Sequence, residues 1–527
     1  MTNIFKLSKS VASAIAIASA LPTIAAAGQV ELSAPDGSLR LSGEFLDLVD
    51  GHFLIKTPIG EMRVSTDRVT CNGEGCPTID TSDVSLRIAG SGVMATELMP
   101  LLIAGYAVHV GNEISTQLLP NSQNKLLNLV TAEGFGDDLD SVLVIPSNSG
   151  EAFDALEAAE AEIGMSTRRI ESQEARGLAA SGAGNMTSVG QEHLLALESI
   201  AIVTHPDNPV SAIELNQLRD VYLGKITNWS QLNGPDVPIQ VIGRDTGTAS
   251  RELFESVLFD GTDITPSGIT AVGTDIEAAT QVLENPGAIS FLPFGVQRGT
   301  KAMNIIDACG VVTEPNDFYA KTEEYPFVRR VYLYNRSDLD NDFARGLLSF
   351  AKSEEAEDAI SVAGFTSFSI GRLPQHMAGL RGETLRASRT DAYEQGVVDE
   401  MLETAGQFDR LSSTFHFRSG SSRLDDRGAA ELTRLVEFLK DQPSGTKIKL
   451  VGFSDDVGTF DSNRRLSLRR ANRIAAYLNT EATDQLPGIE ISPVGYGEIA
   501  PAACNLTHEG RIKNRRVEVW IESTVQG

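Results

Sequence analysis

Three short segments place glycines and hydroxyl side chains directly before a predicted helix. They are Gly90–Gly92, Ser147–Gly150 and Arg244–Ser250, and each follows a short apolar strand. The first backbone N–H groups of a helix have no partner within it and lie at the positive end of its dipole, so they can hold an oxyanion. One such turn is usually an ordinary helix cap. Three of them in one segment, one with an arginine, favour a ligand cleft.

The same turns lack the residues that a hydrolytic enzyme needs. A phosphatase uses an activated nucleophile with a metal or an arginine cluster, and Ser149 and Thr248 have no visible activator. The seven histidines are scattered, and none has a metal-ligand spacing to another His or to a Cys. We therefore predict a protein that binds without catalysis, cofactor or metal, with a phosphatase as a class of enzyme still to be tested.

A formal net charge of −27 over 527 residues limits the partners. Nucleic acid and anionic membrane surfaces are poor partners for so negative a chain, whereas a small anion can still be held by local dipoles. At the start of the chain, Lys6 and Lys9 precede the apolar run Val11–Leu21 and the small residues Ala25–Ala27. This order is typical of a secretory signal peptide over residues 1–27, since a membrane anchor needs about 18 apolar residues.

Export permits disulfides, and the chain has four cysteines. Cys71 and Cys76 enclose a short loop with two glycines, which let the chain turn back. We therefore predict a local disulfide between them. The sequence leaves open whether Cys309 and Cys504 pair with each other or stay free.

The spacing of apolar residues divides the exported chain into four parts. Residues 28–80 alternate apolar and polar side chains, which predicts a small β-meander without a ligand of its own. Residues 81–370 alternate short apolar strands with helical stretches, the pattern of an α/β fold. Residues 371–410 lose this pattern and are rich in charge, which predicts a solvent-exposed linker with some helix. Residues 411–527 again alternate strands and helices.

Several stretches of the second part resemble the periplasmic phosphate-binding proteins of ABC importers, the PstS-like family. They are Ser199–Pro209, Leu215–Trp229 with its Gly-Lys-Ile-Thr-Asn-Trp sequence, Gly243–Phe254 and Asn285–Phe291. The resemblance implies two α/β lobes joined by crossing strands, with the anion buried between them. The lobes would meet near Ser199, and the second would end near Gly295.

The family's phosphate site can be placed on this sequence position by position. Its Arg-x-x-Gly-Ser-Gly-Thr element falls on Arg244–Ser250, with alanine for the second glycine. Val93 stands where a threonine donor is usual, and Thr167 stands where many of these receptors have an Asp that accepts the proton of hydrogen phosphate. The resemblance therefore implies weaker binding and poorer discrimination of phosphate from sulfate. Two interpretations of Arg168 stay open, a charge in the cleft and a surface arginine. The residues implied to bind phosphate are Ser91, Ser149, Arg244, Thr248, Ala249 and Ser250.

Residues 411–527 are similar to the OmpA-like C-terminal domain over most of its length. The similarity rests on Gly452–Asp455, Leu466–Ala471, Gly495–Glu498 and Asn505–Glu518. It implies non-covalent binding of peptidoglycan through the diaminopimelate of the stem peptide. An Asp at a strand end can pair with the ligand's ammonium, and an Arg on the following helix can offer a planar fork to its carboxylate. The residues implied to bind are Asp455, Asn463, Arg470 and Arg515.

Together the resemblances imply an α/β multidomain protein with a small N-terminal β-meander, a two-lobed periplasmic binding protein domain of type II and an OmpA-like α/β sandwich. The implied function is a periplasmic phosphate-binding or oxyanion-binding protein anchored non-covalently to peptidoglycan, near the outer membrane of a diderm bacterium. The alternative is an envelope structural protein whose receptor-like domain binds another anion or a protein. Docking of an ABC importer, the oligomeric state and the role of residues 28–80 stay open.

Overall fold

The computed structural model describes most of the chain after the predicted signal peptide, which lies outside the described residues. The described ranges are 28–34, 39–49, 51–131, 140–188, 190–259, 268–375, 385–386, 388–389, 391–419, 421, 426–480 and 482–523. In these ranges, no helix has both the length and the apolar content needed to cross a membrane. The chain divides into two compact units, of which the smaller contains residues 28–79 and Leu118–Ser122.

The smaller unit is an antiparallel sheet of five strands in the order β4-β3-β2-β1-β5. Alternation along the strands explains the sheet, because Phe53 and Ile55 are buried in its core while Lys56 is exposed. A disulfide joins Cys71 and Cys76, as predicted. The strands are β1 (Gln29–Ser33), β2 (Arg40–Val49), β3 (His52–Thr57), β4 (Gly60–Ser65) and β5 (Thr70–Asn72).

The larger unit begins with the first lobe of an α/β fold, which we call lobe 1. Its parallel strands read as continuous apolar runs because helices cover the sheet. The elements are β6 (Leu86–Ser91), a π-helical turn (Met94–Leu98), α1 (Met99–His109), β7 (Asn112–Leu118), β8 (Lys125–Thr131), β9 (Asp140–Ser147), α2 (Ser149–Glu157), β10 (Ile163–Ser166) and α3 (Ser172–Ala180). The long strand β11 (Glu192–Thr204) then leaves lobe 1.

Lobe 2 follows β11, and the chain returns to lobe 1 through a second long strand. The elements are β12 (Ala212–Glu214), α4 (Leu215–Tyr222), a 3-10 turn (Trp229–Leu232), β13 (Gln240–Arg244), α5 (Ala249–Phe259), β14 (Thr270–Val272), α6 (Asp275–Glu284), β15 (Ala288–Pro293), a 3-10 turn (Phe294–Val296), β16 (Lys301–Ala302), β17 (Asn304–Ile306), β18 (Val312–Thr313) and α7 (Asp317–Lys321). The return strand is β19 (Val328–Asn335), followed by α8 (Asp342–Phe350), a 3-10 turn (Glu354–Ala356) and α9 (Glu357–Val362).

The crossing strands β11 and β19 pair antiparallel at the centre of one sheet, in the order β14-β13-β15-β11-β19-β10-β6-β9-β8-β7, with β16 also paired to β11. Each lobe has its own hydrophobic core, and the change of core along β11 falls between Ala196 and Ile200, where the lobe boundary was expected. The second core continues to Phe327, so lobe 2 extends beyond the predicted end near Gly295.

The C-terminal domain is a five-stranded sheet in the order β20-β21-β24-β22-β23 with helices packed on it. Two of its strands, β22 and β23, run parallel, and the helix between them provides the crossover that a parallel pair needs. The elements are β20 (Arg372–Pro374), α10 (Ala392–Ala405), β21 (Phe408–His416), α11 (Asp426–Lys440), β22 (Lys447–Gly452), α12 (Phe460–Thr480), a 3-10 turn (Thr483–Gln485), β23 (Glu490–Gly495), α13 (His508–Asn514) and β24 (Arg516–Glu522).

Part of the linker predicted over 371–410 is buried rather than exposed where the structure describes it, whereas the helix expected there is present as α10. Strand β20 pairs with β21, and α10 buries an apolar face against the C-terminal sheet. The buried positions of α10 follow helical spacing, but the surrounding charges hide this stripe in the sequence. The buried residues of α10 are Val397, Val398, Met401, Leu402 and Ala405.

Lobe 2 and the C-terminal domain are joined by a disulfide and by a buried ion pair. Cys309 of lobe 2 forms a disulfide with Cys504, which resolves the alternative that the sequence left open. Arg410 Nη2 donates to Glu324 Oε1 at 2.5 Å, and Arg410 Nε lies 3.1 Å from Glu518 Oε2. Burial alone would lower the pKa of Arg410, but the two carboxylates raise it above its ordinary value. The two domains therefore form one docked body within the larger unit.

Candidate functional site

The hydroxyl-bearing turns of lobe 1 lie at one edge of its sheet. Strands β6, β9 and β10 are parallel neighbours, and Ser91 is in register with Ser147. The carboxyl ends of parallel strands are where open α/β sheets bind ligands. The close approach of β6 to β10 requires a glycine at position 90, since a Cβ there would lie 2.2 Å from Met165 O. The structure thus brings the predicted Ser91 to the same edge as the turn that follows β9.

Ser149 stands at the start of α2 with its hydroxyl directed away from the helix. Asn148 Oδ1 accepts the N–H of Glu151 and caps α2, so the hydroxyl of Ser149 is not needed as a cap. Instead, Ser149 Oγ lies 3.2 Å from Thr167 Oγ1 and accepts the Thr167 N–H at 3.1 Å. The two positions singled out in the sequence, Ser149 and Thr167, are therefore in contact.

Arg168 lies beside this edge, because its Nη2 is 4.0 Å from the position that a Cβ of Gly150 would take, but its charge is paired. Its guanidinium makes a two-point ion pair with Glu174, with distances of 2.9 and 2.5 Å, and lies 5.4 Å from the centroid of the Phe153 ring. A bidentate arginine–carboxylate pair neutralises the charge and fixes the side chain. Of the two interpretations left open, the structure favours an arginine that adds no free charge to the cleft.

The lobe 2 turn places Arg244 at the end of β13 and the hydroxyls at the start of α5. Arg251 Nη1 donates to Arg244 O at 2.8 Å and fixes the turn, while Thr248 Oγ1 donates to Asp245 O at 2.9 Å. Ser250 is buried, and Ala249 begins the helix. Arg244, Thr248, Ala249 and Ser250 thus share one turn at the start of α5, and their role in phosphate binding stays a prediction.

Asp275 is a residue of this site that the sequence interpretation missed. It is the first residue of α6, and its Oδ1 lies 3.1 Å from Arg244 Nε without an aligned hydrogen bond. Among the described residues, Arg244 Nε, Arg244 Nη1 and Asp275 Oδ1 are buried and have no hydrogen-bond partner. The Thr-Asp-x-Glu sequence at 274–277 marks a helix start, but only the parallel pairing of β13 with β14 brings it to Arg244.

Burial raises the pKa of the Asp275 carboxyl. The positive charge of Arg244 and a hydrogen bond from Ser250 oppose this rise, whereas Glu97 of lobe 1 and Glu198 of β11 add to it. Asp275 therefore lies within electrostatic reach of lobe 1 and of a crossing strand, as a group facing the cleft must.

A second arginine, Arg329 of β19, lies beneath the start of α5. Its Nε donates to Glu198 Oε2 at 2.7 Å, and its Nη2 donates to Ala249 O at 3.2 Å. This arginine was also missed, because nothing in its local sequence distinguishes it from other strand residues. It ties both crossing strands to the helix that carries Ser250.

The C-terminal domain has a second candidate pocket, where two predicted residues form a buried ion pair. Arg515 Nη1 donates to Asp455 Oδ2 at 2.7 Å, and Arg515 Nε donates to Phe417 O at 3.2 Å. Asp455 and Arg515, which the sequence assigned to the ligand, thus form an internal ion pair. Arg470 makes no ion pair with Asp455 among the contacts of the described residues.

Arg470 is fully buried and keeps one N–H group without a partner. Nε and Nη2 donate to the carbonyls of Ser421 and Arg418, and the guanidinium lies 5.4 Å from the Phe417 ring centroid. Desolvation lowers the pKa of Arg470 to about 10, so the group is still charged at neutral pH. Its Nη1 has no partner among the described residues, and the same holds for two neighbours in the pocket, Asn463 Nδ2 and Ser454 Oγ. Buried unsatisfied donors of this kind favour a ligand that supplies acceptors.

Comparison with protein families agrees with this division of the chain. Residues 120–355 match the PBP superfamily domain, and residues 416–515 match the OmpA family.

The curated relatives each match one part of the chain. Outer membrane porin F of Pseudomonas aeruginosa is 38% identical over 114 residues, which cover 22% of this chain and 32% of the porin. Phosphate-binding protein PstS of Bacillus subtilis is 27% identical over 169 residues, which cover 32% of this chain and 54% of PstS. Peptidoglycan-binding protein ArfA of Mycobacterium tuberculosis is 39% identical over 90 residues, 17% of this chain and 26% of ArfA. The chain thus spans about half or less of the length of these relatives.

Among solved structures, an ABC-type phosphate transport receptor from Vibrio cholerae aligns with 53% of this chain and 98% of its own, at 22% identity and a TM-score of 0.40.

Proposed function

We propose that this chain, which joins a PBP superfamily domain to an OmpA family domain, is an exported receptor that binds phosphate or a similar oxyanion while attached non-covalently to peptidoglycan. One observation supports both halves of the proposal. Each candidate site contains a buried guanidinium with an N–H group that has no partner among the described residues, Arg244 in the cleft and Arg470 in the pocket. Such groups are costly to bury unless a ligand satisfies them.

In the cleft, the proposed ligands are Arg244, the hydroxyls of Thr248, Ser250, Ser149 and Ser91, and the backbone N–H of Ala249. These groups lie at the starts of α2 and α5 and at the sheet edge of lobe 1. Helix N-termini and hydroxyl donors can stabilise a buried anion without a full complement of positive charge. This is how a chain with a net charge of −27 can bind an anion.

In the pocket, Arg470 Nη1 and Asn463 Nδ2 would bind the carboxylate of diaminopimelate. The carboxylate of Asp455 would accept a hydrogen bond from the ammonium group of diaminopimelate. Asp455 would stay paired with Arg515 at the same time. An amino acid side chain that carries both charges matches a site with separate acidic and basic groups. The OmpA family match and the peptidoglycan-binding relative support this ligand.

The protein would bind rather than catalyse, in the periplasm of a diderm bacterium near the outer membrane. The membrane complex of an ABC importer, docked on the receptor domain, is included in the proposal only as an additional partner. The second candidate function is an envelope structural protein whose cleft serves another ligand, and the incomplete hydroxyl set at Val93 favours it.

One pelleting experiment tests both binding functions on the full-length chain. The wild-type protein is mixed with purified peptidoglycan and radiolabelled phosphate, and protein and label are counted in the pellet. We expect both to sediment, Arg244→Ala to sediment without label, and Arg470→Ala to remain in the supernatant. The exposed residues Lys225 and Asp456 provide the control variants Lys225→Ala and Asp456→Ala, which should behave as wild type.

Sedimentation of the wild-type protein without label would refute phosphate binding. It would leave the second candidate function, an envelope structural protein. Release of phosphate from a phosphate ester would replace the binding proposal by catalysis. Protein that stays in the supernatant would refute attachment to the wall.

A further inference from the structure

The C-terminal domain has a second concave surface, separate from the proposed diaminopimelate pocket. It is a groove of about 380 Å³, within the usual size range of ligand sites. Strand β23, the outer strand of the C-terminal sheet in the described part of the chain, forms one wall, and α10 and α12 form the rest. We call it the outer groove. Its lining includes Tyr393, Arg464, Arg465, Leu468, Pro493 and Val494.

The ring of Tyr393 is exposed to solvent but fixed in its orientation. Tyr393 is 52% exposed, and its hydroxyl accepts a hydrogen bond from Arg464 Nη1 at 2.9 Å. The guanidinium carbon of Arg464 lies 5.7 Å from the ring centroid, and the Phe460 ring meets it nearly at a right angle at 5.8 Å. A ring that is already fixed loses little conformational freedom when a ligand packs on it. Tyr393 therefore provides a preorganised apolar contact surface.

The charges of the outer groove favour an uncharged ligand. Each of the three nitrogens of Arg464 has a partner, because Nη2 donates to Glu400 Oε2 at 3.0 Å and Nε donates to Gly495 O at 3.4 Å, in addition to the tyrosine contact. A paired guanidinium has little left to offer an anion. The exposed residues Asp461 and Arg465 add one charge of each sign.

An extended peptide is a poor occupant of the outer groove, although β23 is an outer strand. Adding a strand requires free backbone N–H and C=O groups along that edge. Pro493 has no N–H, and Gly495 O already accepts a hydrogen bond from Arg464. The groove instead combines the tyrosine ring and the exposed Leu468 with polar side chains. This combination fits a sugar ring, which has an apolar C–H face and a rim of hydroxyl and acetamido groups.

The outer groove and the diaminopimelate pocket share helix α12. Asn463 and Arg470 of the pocket are buried on one side of this helix, while Asp461 and Leu468 are exposed on another. With its side chains, a helix is about 10–12 Å wide. The two residues between diaminopimelate and the sugar span about 7 Å when extended, and the diaminopimelate side chain and the lactyl ether add to this reach. A stem peptide held in the pocket can therefore place its sugar in the groove.

We propose that the outer groove binds the glycan strand of peptidoglycan, with an N-acetylated sugar packed against Tyr393, while the pocket binds the stem peptide of the same strand. This inference rests on the proposed attachment to peptidoglycan and adds a second point of contact to it. The residues that match the OmpA family, 416–515, do not include Tyr393, so the match does not account for this contact. The domain would then bind the wall polymer in preference to free stem peptides.

Calorimetry on the full-length wild-type chain tests the inference with two soluble probes. One is the stem tripeptide that ends in diaminopimelate, and the other is the same tripeptide linked to its N-acetylated disaccharide. We expect the disaccharide-tripeptide to bind about three- to tenfold more tightly, the range of one well-packed aromatic contact. Equal or weaker binding of the disaccharide-tripeptide would overturn the inference and leave the pocket intact. No heat with either probe would remove both the inference and the proposed attachment.

Two variants of the outer groove add a second readout, with thermal unfolding as the check on folding. Tyr393→Ala should lower the affinity for the disaccharide-tripeptide to that for the tripeptide and leave the tripeptide affinity unchanged, whereas Tyr393→Phe keeps the ring and should retain the difference. Leu468→Ser should reduce the difference, and its matched control is Leu506→Ser, an exposed leucine of the same domain outside the groove. A folded Tyr393→Ala chain that keeps the full preference, or that loses both probes equally, would contradict the assignment.

Discussion

The cleft and the C-terminal pocket each pair an arginine with an aspartate, but in opposite ways. In the pocket, Asp455 is bonded to Arg515, and Arg470 remains apart with one N–H group that has no partner in the described part of the chain. In the cleft, Asp275 lies directly beside Arg244, and each has buried polar atoms that no described residue pairs with. The pocket therefore offers separate acidic and basic groups to a ligand that carries both charges. The cleft instead contains its arginine and its aspartate as a joined pair.

The support of the two sites differs as well. All four pocket residues come from one domain whose strands and helix are fixed by a common core. The cleft residues come from two lobes with separate cores, joined by β11 and β19. A site on one rigid body is preorganised, whereas a site divided between two lobes depends on their closure around the ligand.

The largest effect should come from removing the buried ion pair between lobe 2 and the C-terminal domain. The same variant tests whether peptidoglycan binding by the pocket depends on contact with lobe 2. Arg410→Met removes the guanidinium that pairs with the buried carboxylates of Glu324 and Glu518, which should cost about 3–5 kcal/mol of unfolding free energy. Urea denaturation measures this loss, and peptidoglycan pelleting of the same variant should persist. The exposed arginine variant Arg345→Met is the control and should show no measurable change. An Arg410→Met chain as stable as wild type would contradict the role of the pair.

Removing either the acidic or the basic group of the pocket tests the role proposed for it. Asp455→Ala or Arg470→Ala should abolish co-sedimentation with peptidoglycan, because breaking a desolvated charged pair costs about 2–5 kcal/mol. Since Asp455 also satisfies Arg515, thermal unfolding must accompany the Asp455 measurement. Asp456→Ala, the exposed neighbour, is the control. Undiminished pelleting of both folded variants would refute the assignment of the pocket.

The two disulfides differ in what they hold together. Cys309–Cys504 joins lobe 2 to the C-terminal domain, and Cys71–Cys76 closes a local loop. The bond between Cys309 and Cys504 spans 195 positions and that between Cys71 and Cys76 only 5. Removing the first with paired serines should cost about 2–4 kcal/mol of unfolding free energy, and removing the second should cost less than the roughly 3 kcal/mol of a 15-residue loop. Urea denaturation compares the two variants. Mass spectrometry of exported protein should show no free thiol at these positions, and free Cys71 and Cys76 would refute the predicted local bond.

The smallest expected effect concerns the cleft. Arg244→Gln should weaken phosphate binding by about 1.5–3 kcal/mol, the contribution of a hydrogen bond to a charged group. Calorimetry on the full-length chain checks it, with Lys225→Gln of the same lobe as the control. Unchanged phosphate affinity in a folded Arg244→Gln chain would mean that the anion lies elsewhere or that Arg244 only balances Asp275.

The sequence by itself determined the elements and many of the site residues. Apolar periodicity predicted the three strand–turn–helix units that contain Ser91, Ser149 and Ser250. It could do so because burial on one face imposes a local pattern of apolar residues. Family resemblance located Asp455 beyond the end of strand β22 and Arg470 on helix α12. The short loop between Cys71 and Cys76 was enough to predict its disulfide.

Only the tertiary structure decided which of these residues meet. The neighbours of Arg244 and Asp455 depend on strand order and on the docking of domains, because Asp275 and Arg515 lie 31 and 60 positions away. The apolar stripe of the helix over 392–405 was hidden among charged residues, and the sheet that buries it is formed largely by later residues. The pairing of Cys309 with Cys504 likewise required lobe 2 and the C-terminal domain to be in contact. Local pattern specifies an element, and long-range packing specifies its partner.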